Sequence, residues 1–221
     1  KDNILEYDTD ESLYIFEESF YDDGVWKKFK AFIGLNKIEE YESSKVLRHE
    51  YTLSKPKEDR YNLLKHTKTN FGLIYTLYDD VDNKIQEIID RSTFGKPFYD
   101  FDAGYDSTLK FRIWKLSDKN IIEKIINLMK DKNILIADGH HRYETSRLFM
   151  HEIRKKRQSN ELNTGKIFIE TTGDHIFPEE AVLTLFVNYN QESIKILPTH
   201  RMIKFKEKFN LLRNFEKINK Y

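Results

Sequence analysis

Cysteine is absent from the 221 residues of this sequence, so disulfides, catalytic thiolates and cysteine-ligated zinc sites are excluded. Long apolar runs are absent as well, because no stretch approaches the roughly 18 residues that a membrane-spanning helix needs. A signal peptide is not expected, since the residues from Lys1 to Asp10 are mostly polar. Together these absences predict a cytoplasmic protein with no membrane partner.

The chain also has no net charge at pH 7, because 37 Lys and Arg residues balance 37 Asp and Glu residues. A general nucleic-acid binder needs a basic face, so this balance argues against one, although a local basic patch is compatible with it. Hydrophobic residues make up 39% of the chain, enough to bury a real core. We expect a single α+β domain over residues 1–221 and, because the chain opens without Met, a fragment of a longer protein.

Hydrophobic periodicity and turn signals divide the chain into strands and helices. Segments 12–20 and 28–35 predict a β-hairpin, whose turn at Asp23-Gly24 supplies the positive φ that such turns need. Further strands are expected at 72–78, 109–114, 134–136, 166–171, 182–188 and 194–197, and helices at 57–68, 81–91, 120–131 and 141–157. This irregular order favours an α+β fold, with a mixed sheet and flanking helices, over a doubly wound parallel sheet.

The clearest functional signal is the turn from a short apolar strand into a helix at Asp138 and Gly139. The first turn of a helix has unpaired N–H groups and the positive end of the macrodipole, so it favours anions. Gly139 permits close approach of the backbone, and Arg142 offers a planar fork to phosphate or carboxylate oxygens. His140 and His141 can donate hydrogen bonds or exchange protons near neutral pH.

Two other interpretations of this turn stay open. Asp138 could simply cap the helix, with His140 and His141 as surface residues of its first turn. A metal could instead bind His141 and Glu144, which lie three residues apart on one helical face. No complete zinc signature is present, and we expect no resident metal site.

Two further groups of polar residues are candidates for substrate binding. Arg48, His49 and Glu50 precede Lys57 and Arg60 by about one loop, and such a cluster could hold phosphate or a substrate carboxylate and amine. Its structural alternative is a set of surface ion pairs, each of which contributes little.

The second group, Thr199, His200 and Arg201, ends a predicted strand. Because side chains alternate along a strand, Thr199 and Arg201 would share one face and His200 the other. A pair from this group could line a pocket, whereas a unit of all three is not expected.

Three linked motifs resemble the signature of domain-of-unknown-function family 1015. They are Ile136-Ala-Asp-Gly-His-His-Arg-Tyr-Glu-Thr145, Leu47-Arg-His-Glu50 with Lys57-Glu-Asp-Arg60, and Leu197-Pro-Thr-His-Arg201. Their order and spacing match across nearly the whole chain. Proteins of that family are usually longer at both ends, which agrees with a fragment.

The central motif is similar, more distantly, to the nucleotide-binding turn of ParB-like and sulfiredoxin-like folds, and to the Asp-Gly-His-His-Arg segment of free-serine kinases. This resemblance implies a small-molecule kinase that uses ATP or ADP with Mg²⁺ on a small hydroxylated substrate such as free serine. The segment Gly139 to Arg142 would then hold the phosphates, and Asp138 or Glu50 would act as base or magnesium ligand. Sulfiredoxin chemistry itself needs a cysteine, which is absent.

A nucleotide-binding switch without turnover, and a structural domain of a larger protein, are the alternative functions. If the chain is a kinase, phosphate holders and a base must share one site. We therefore predict that Arg48 to Glu50, Asp138 to Arg142 and Thr199 to Arg201 converge on one cleft, within about 10 Å of a common point.

Overall fold

The computed structural model describes residues 8–50, 54–104, 107–159, 169–170 and 175–194. Along the chain the strands and helices are β1 (Leu13–Asp22), β2 (Val25–Lys37), β3 (Val46–Leu47), α1 (Ser54–Thr67), β4 (Ile74–Tyr78), α2 (Lys84–Arg91), β5 (Tyr99–Asp102), β6 (Leu109–Leu116), α3 (Lys119–Met129), β7 (Ile134–Asp138), α4 (His140–Gln158), β8 (Ile169–Glu170), β9 (His175–Ile176) and β10 (Ala181–Asn188). Short 3₁₀ helices lie at Tyr41–Ser43 and Pro178–Glu180. Mixed strands with interleaved helices confirm the predicted α+β class.

Eight strands form one mixed sheet in the order β3-β7-β4-β10-β2-β1-β6-β5. The β1–β2 hairpin is antiparallel, and its two-residue turn has φ of 50° at Asp23 and 83° at Gly24. Positive φ at both positions is the conformation for which Asp-Gly is selected. β10 pairs parallel with β4 and antiparallel with β2, and β3 pairs parallel with β7, so the sheet is mixed as expected.

Helices α2, α3 and α4 cover one face of this sheet. Ile89 of α2, Ile125 of α3 and Met150 of α4 belong to one buried cluster with sheet residues such as Phe32. Its neighbour Ala31 belongs to a second cluster, since adjacent side chains of a strand point to opposite faces. Helix α1 packs on α4. The helical layer therefore rests on the strands that carry the candidate site.

Local side-chain bonds fix two helix starts. Asp118 accepts hydrogen bonds from the backbone N–H groups of Asn120 and Ile121, and so caps α3. The buried carboxylate of Asp80 accepts from the N–H groups of Ile85 and Gln86 at the start of α2. Such caps satisfy N–H groups that have no partner within the helix.

Some predicted elements differ from the structure. β3 and the edge strand β5 were not expected, and α1 begins at Ser54 rather than at Lys57. The strand expected at 166–171 is described only at Ile169–Glu170. Of the strand expected at 194–197, only Ile194 is described, and it is not in a strand. Within the described ranges, no helix is long and apolar enough to cross a bilayer.

Candidate functional site

The site begins where β7 ends at Asp138 and α4 begins at His140. Gly139 between them has φ of 97°, in the left-handed region that favours glycine. The first backbone bond of the helix runs from the N–H of Tyr143 to the carbonyl of Gly139, at 2.9 Å. The backbone N–H groups of residues 140–142 therefore have no acceptor within the helix, which is the arrangement that binds anions at helix starts.

Asp138 does not cap this helix, because Gly139 is the N-cap residue and no side-chain cap bond is made there. The Asp138 carboxylate instead accepts a hydrogen bond from Arg142, with 2.6 Å between Oδ2 and Nη2. This ion pair is partly exposed, so its contribution to stability is small.

The guanidinium of Arg142 also lies directly over Gly139. A Cβ atom on Gly139 would stand 3.1 Å from Nη2 and 3.2 Å from Nε of Arg142. Gly72 is close to the same side chain, because a Cβ there would lie 3.4 Å from its Cδ. Two glycines thus leave room for the arginine beside the start of α4, and at Gly139 a Cβ atom would push the arginine aside by a few tenths of an ångström.

The second half of the site follows from strand pairing. β3 pairs with β7, with Val46 opposite Ile134 and Leu47 opposite Leu135. The chain after β3 therefore runs beside the turn after β7. His49 contacts His140 edge to face, with 4.5 Å between ring centroids, and Oε2 of Glu50 lies 3.9 Å from Nδ1 of His140.

A small polar pocket of about 80 Å³ forms between these two halves. It is lined by Glu50, Arg60, Asp138, Gly139, His140, His141 and Arg142. One water in a cavity needs roughly 10–15 Å³, so the pocket has room for several waters or one phosphate-sized group, but not for a nucleoside. Two arginines and two carboxylates line it, which makes its formal charge balanced.

His140 is the most buried ionisable side chain at this pocket, with 5% of its surface exposed. Burial lowers its pKa below the ordinary 6.5, and the neighbouring His49 lowers it further. The imidazole is therefore neutral at pH 7. Among the described residues no hydrogen-bond partner reaches its buried Nε2. Such an unpaired polar atom costs about 1–3 kcal/mol.

Arg48 does not line the pocket, although the sequence made it a candidate for substrate binding. Its guanidinium carbon lies 3.9 Å above the ring of Tyr41. The Tyr41 hydroxyl donates to Oε2 of Glu144 at 2.7 Å, and Arg147 donates to Oε1 of the same carboxylate at 3.0 Å. Tyr41 and Arg147 were not singled out from the sequence. Glu144 was considered there only as a metal ligand with His141, not as the acceptor of these two hydrogen bonds.

The proposed metal pair of His141 and Glu144 finds no support in this arrangement. Both carboxylate oxygens of Glu144 are engaged, and its side chain is buried. Over the ranges that the structure describes, no group of three or more His, Asp or Glu side chains forms a candidate metal site.

Two of the three predicted motifs come together at this pocket. Glu50 and Arg60 line it with Gly139 and its neighbours, while His49 contacts His140. Lys57 lies in α1, but its side chain is outside the described part of the structure, as is the whole segment Thr199 to Arg201. Convergence of that third motif stays a prediction.

A larger recess of about 490 Å³ lies after β4, at Asp79, Asp80 and Asp82. Its acidic side chains are engaged within the protein. Asp80 caps α2, Asp79 accepts from Asn190 at 2.7 Å, and Asp82 pairs with Lys84 at 3.0 Å. These bonds explain the acidic residues structurally, so the smaller pocket is the better candidate site.

Comparison with known proteins agrees with the motifs. The sequence matches the family described as "Protein of unknown function (DUF1015)" over residues 1–221, the whole of the chain. No curated protein and no solved structure matches it. A match of this extent settles membership, and the chain therefore belongs to the DUF1015 protein family.

Proposed function

We propose that the protein binds the phosphates of ATP or ADP at the start of α4 and transfers a phosphoryl group to a small hydroxylated metabolite. The observation that carries this proposal is the pocket itself. Glu50 and Arg60 meet the Asp138 to Arg142 turn there, although about 80–90 residues separate the two groups along the chain.

The contents of the pocket suit one phosphate group. The backbone N–H groups at the start of α4 and the guanidinium groups of Arg60 and Arg142 can donate hydrogen bonds to phosphate oxygens. The volume of the pocket excludes a nucleoside, which would lie outside the pocket. Because Glu50 and Asp138 balance the arginines, a bare polyanion gains little from net charge. Exposed carboxylates are ligands that Mg²⁺ favours, so the nucleotide is expected to arrive as its magnesium complex.

In the proposed transfer, the acceptor hydroxyl oxygen attacks the terminal phosphorus. The bond from that phosphorus to its bridging oxygen breaks, and the shortened nucleotide leaves with the bonding electrons. The hydroxyl proton passes to a carboxylate at the pocket. Glu50 is the better base, because Asp138 already accepts a short hydrogen bond from Arg142. Neutral His140 beside Glu50 would orient the acceptor.

Free serine is the first acceptor to test, on the basis of the similarity of the central motif to free-serine kinases. Calorimetric titration with ATP, ADP and CTP in the presence of Mg²⁺ measures binding. Phosphorus NMR with serine and excess nucleotide then measures transfer. Multiple turnovers that need both the nucleotide and an acceptor are expected.

A nucleotide-binding switch is the alternative, because the sequence of this turn also resembles, distantly, the nucleotide-binding turn of ParB-like folds. Tight nucleotide binding without transfer to any of a panel of small alcohols would favour the switch. Absence of binding for all three nucleotides would refute both proposals and favour a structural domain of a larger protein.

A further inference from the structure

The side chain of Tyr41, which lies outside the pocket, connects α4 with the segment that carries Glu50. Tyr41, in the 3₁₀ helix after β2, donates its hydroxyl proton to Oε2 of Glu144 at 2.7 Å. Its ring supports Arg48 at 3.9 Å and Arg147 at 4.9 Å. One tyrosine thus connects the helix with the residue that begins the Arg48 to Glu50 segment.

The acceptor of this hydrogen bond is well held. Glu144 is 8% exposed, and Arg147 donates to its other oxygen at 3.0 Å. Arg147 also donates to Glu40 at 2.6 Å, and the backbone of Glu39 bonds the Tyr143 hydroxyl, so each residue of the 39–41 stretch contacts α4. Charge-assisted hydrogen bonds in a buried setting are stronger and better defined than neutral ones.

Position along the helix makes this contact relevant to the pocket. Glu144 lies four residues after His140, one helical turn away and on the same side of α4. The contacts of His140 with His49 and Glu50 come from the same segment that Arg48 begins. Movement of Arg48 would therefore carry His49 and Glu50 away from His140.

We propose that Tyr41 is a positioning residue, which holds Glu50 and His49 against His140 through its hydroxyl bond to Glu144 and the stacking of Arg48 on its ring. The part of this inference that concerns phosphate binding rests on the proposed function. Tyr41 does not touch the ligand, and it acts through the segment that it fastens.

Tyr41→Phe tests this directly, since it keeps the ring under Arg48 and removes only the hydroxyl. Tyr143→Phe is the matched control. Tyr143 is also buried between α4 and the end of β2, but its hydroxyl bonds the backbone of Glu39, at 2.9 Å to N and 3.2 Å to O. Each variant loses one phenolic hydroxyl between α4 and the chain that follows β2. Only the Tyr41 hydroxyl belongs to the residue whose ring stacks on Arg48.

The first measurement is the NMR titration of the His140 imidazole, which needs no ligand. The charged or titratable groups that act on it are His49, Glu50, Asp138 and His141. Looser packing of the segment in Tyr41→Phe should expose His140, so its titration midpoint should rise towards the ordinary value, with no such rise in Tyr143→Phe. An unchanged midpoint in Tyr41→Phe, or an equal rise in both variants, overturns the proposal.

The second measurement is calorimetric titration with inorganic phosphate. Affinity should fall about three- to tenfold in Tyr41→Phe, the range for one lost hydrogen bond, and less than about twofold in Tyr143→Phe. Wild-type protein that binds neither inorganic phosphate nor a nucleotide with Mg²⁺ would refute the proposed function, while the imidazole titration still decides the role of Tyr41. If Tyr41→Phe does not fold, Arg48→Gln removes the stacked cation from the exposed surface, and the same midpoint shift is expected.

Discussion

Replacement of Gly139 by alanine separates the two roles of this glycine. The first role is conformational: φ of 97° places an L-residue in the left-handed region, which costs about 1–2 kcal/mol. The second is steric, because the new methyl group would stand 3.1 Å from Nη2 and 3.2 Å from Nε of Arg142, and 3.3 Å from Cδ1 of Ile74. Arg142 and Ile74 must therefore give way by a few tenths of an ångström.

Gly95→Ala is the matched control for the conformational cost. Gly95 has φ of 99°, and a Cβ atom there meets nothing within 4 Å. Both variants should thus lose about 1–2 kcal/mol of unfolding free energy. Gly139→Ala should lose up to about 1 kcal/mol more, the value of the disturbed ion pair. For a chain of this size, a total loss of about 1–3 kcal/mol lowers Tm by about 2–12 °C in Gly139→Ala.

The two variants should differ most in ligand binding. Gly139→Ala should bind inorganic phosphate or nucleotide at least about tenfold more weakly, because the arginine that holds the anion is displaced, a loss that equals about 1.4 kcal/mol. Gly95→Ala should bind like the wild type. Urea denaturation gives the first comparison and calorimetric titration the second. If Gly139→Ala binds phosphate normally and is no less stable than Gly95→Ala, the close approach of Arg142 to the turn has no functional meaning.

Three further predictions concern charge and metal. Arg142→Ala should weaken phosphate or nucleotide binding by about 1.5–3 kcal/mol with little change in Tm. Arg91→Ala breaks another i,i+4 pair, with Glu87 on α2, whose arginine is more exposed, and it should leave affinity unchanged; calorimetry and thermal melts compare the two variants. Because burial lowers the pKa of His140, the unfolded chain takes up a proton at a pH where the folded chain does not, so the free energy of unfolding should fall as pH drops below about 6.5. In His140→Gln this fall should be less steep in urea denaturation at several pH values. An equally steep fall in the variant would refute the assignment of this pH dependence to His140. Without thiolates, and with no cluster of three candidate ligands in the described ranges, the dialysed protein should contain no zinc; elemental analysis that finds one zinc per chain would contradict this.

Elements with strong local signals could be predicted from the sequence. Asp23-Gly24 predicted the turn of the first hairpin. The isoleucines that repeat at helical spacing in α2 and α3 predicted the buried faces of these helices, to which Ile89 and Ile125 belong. β3 could not be predicted in this way, because a strand of two residues is too short to show an alternation of apolar and polar side chains. β5 is exposed along its whole length and depends on its pairing with β6, so no apolar alternation marks it.

The same distinction applies to the candidate site. The turn at Gly139 was recognisable because a glycine before a basic helix start is a local pattern. That Arg142 would turn back to Asp138 is also local, since the two residues lie one helical turn apart. The bond from Tyr41 to Glu144 spans 103 residues and depends on how the chain before β3 packs on α4, so no local pattern around Tyr41 predicts it.

The parallel pairing of β3 with β7 has a consequence for how the protein folds during synthesis. Glu50 leaves the ribosome about 90 residues before His140, and the pocket between them cannot exist until β7 and the first turn of α4 are in place. A ligand of this pocket would therefore not bind a growing chain that ends before α4. By mass action it would stabilise only those forms in which β3, β7 and the first turn of α4 have come together.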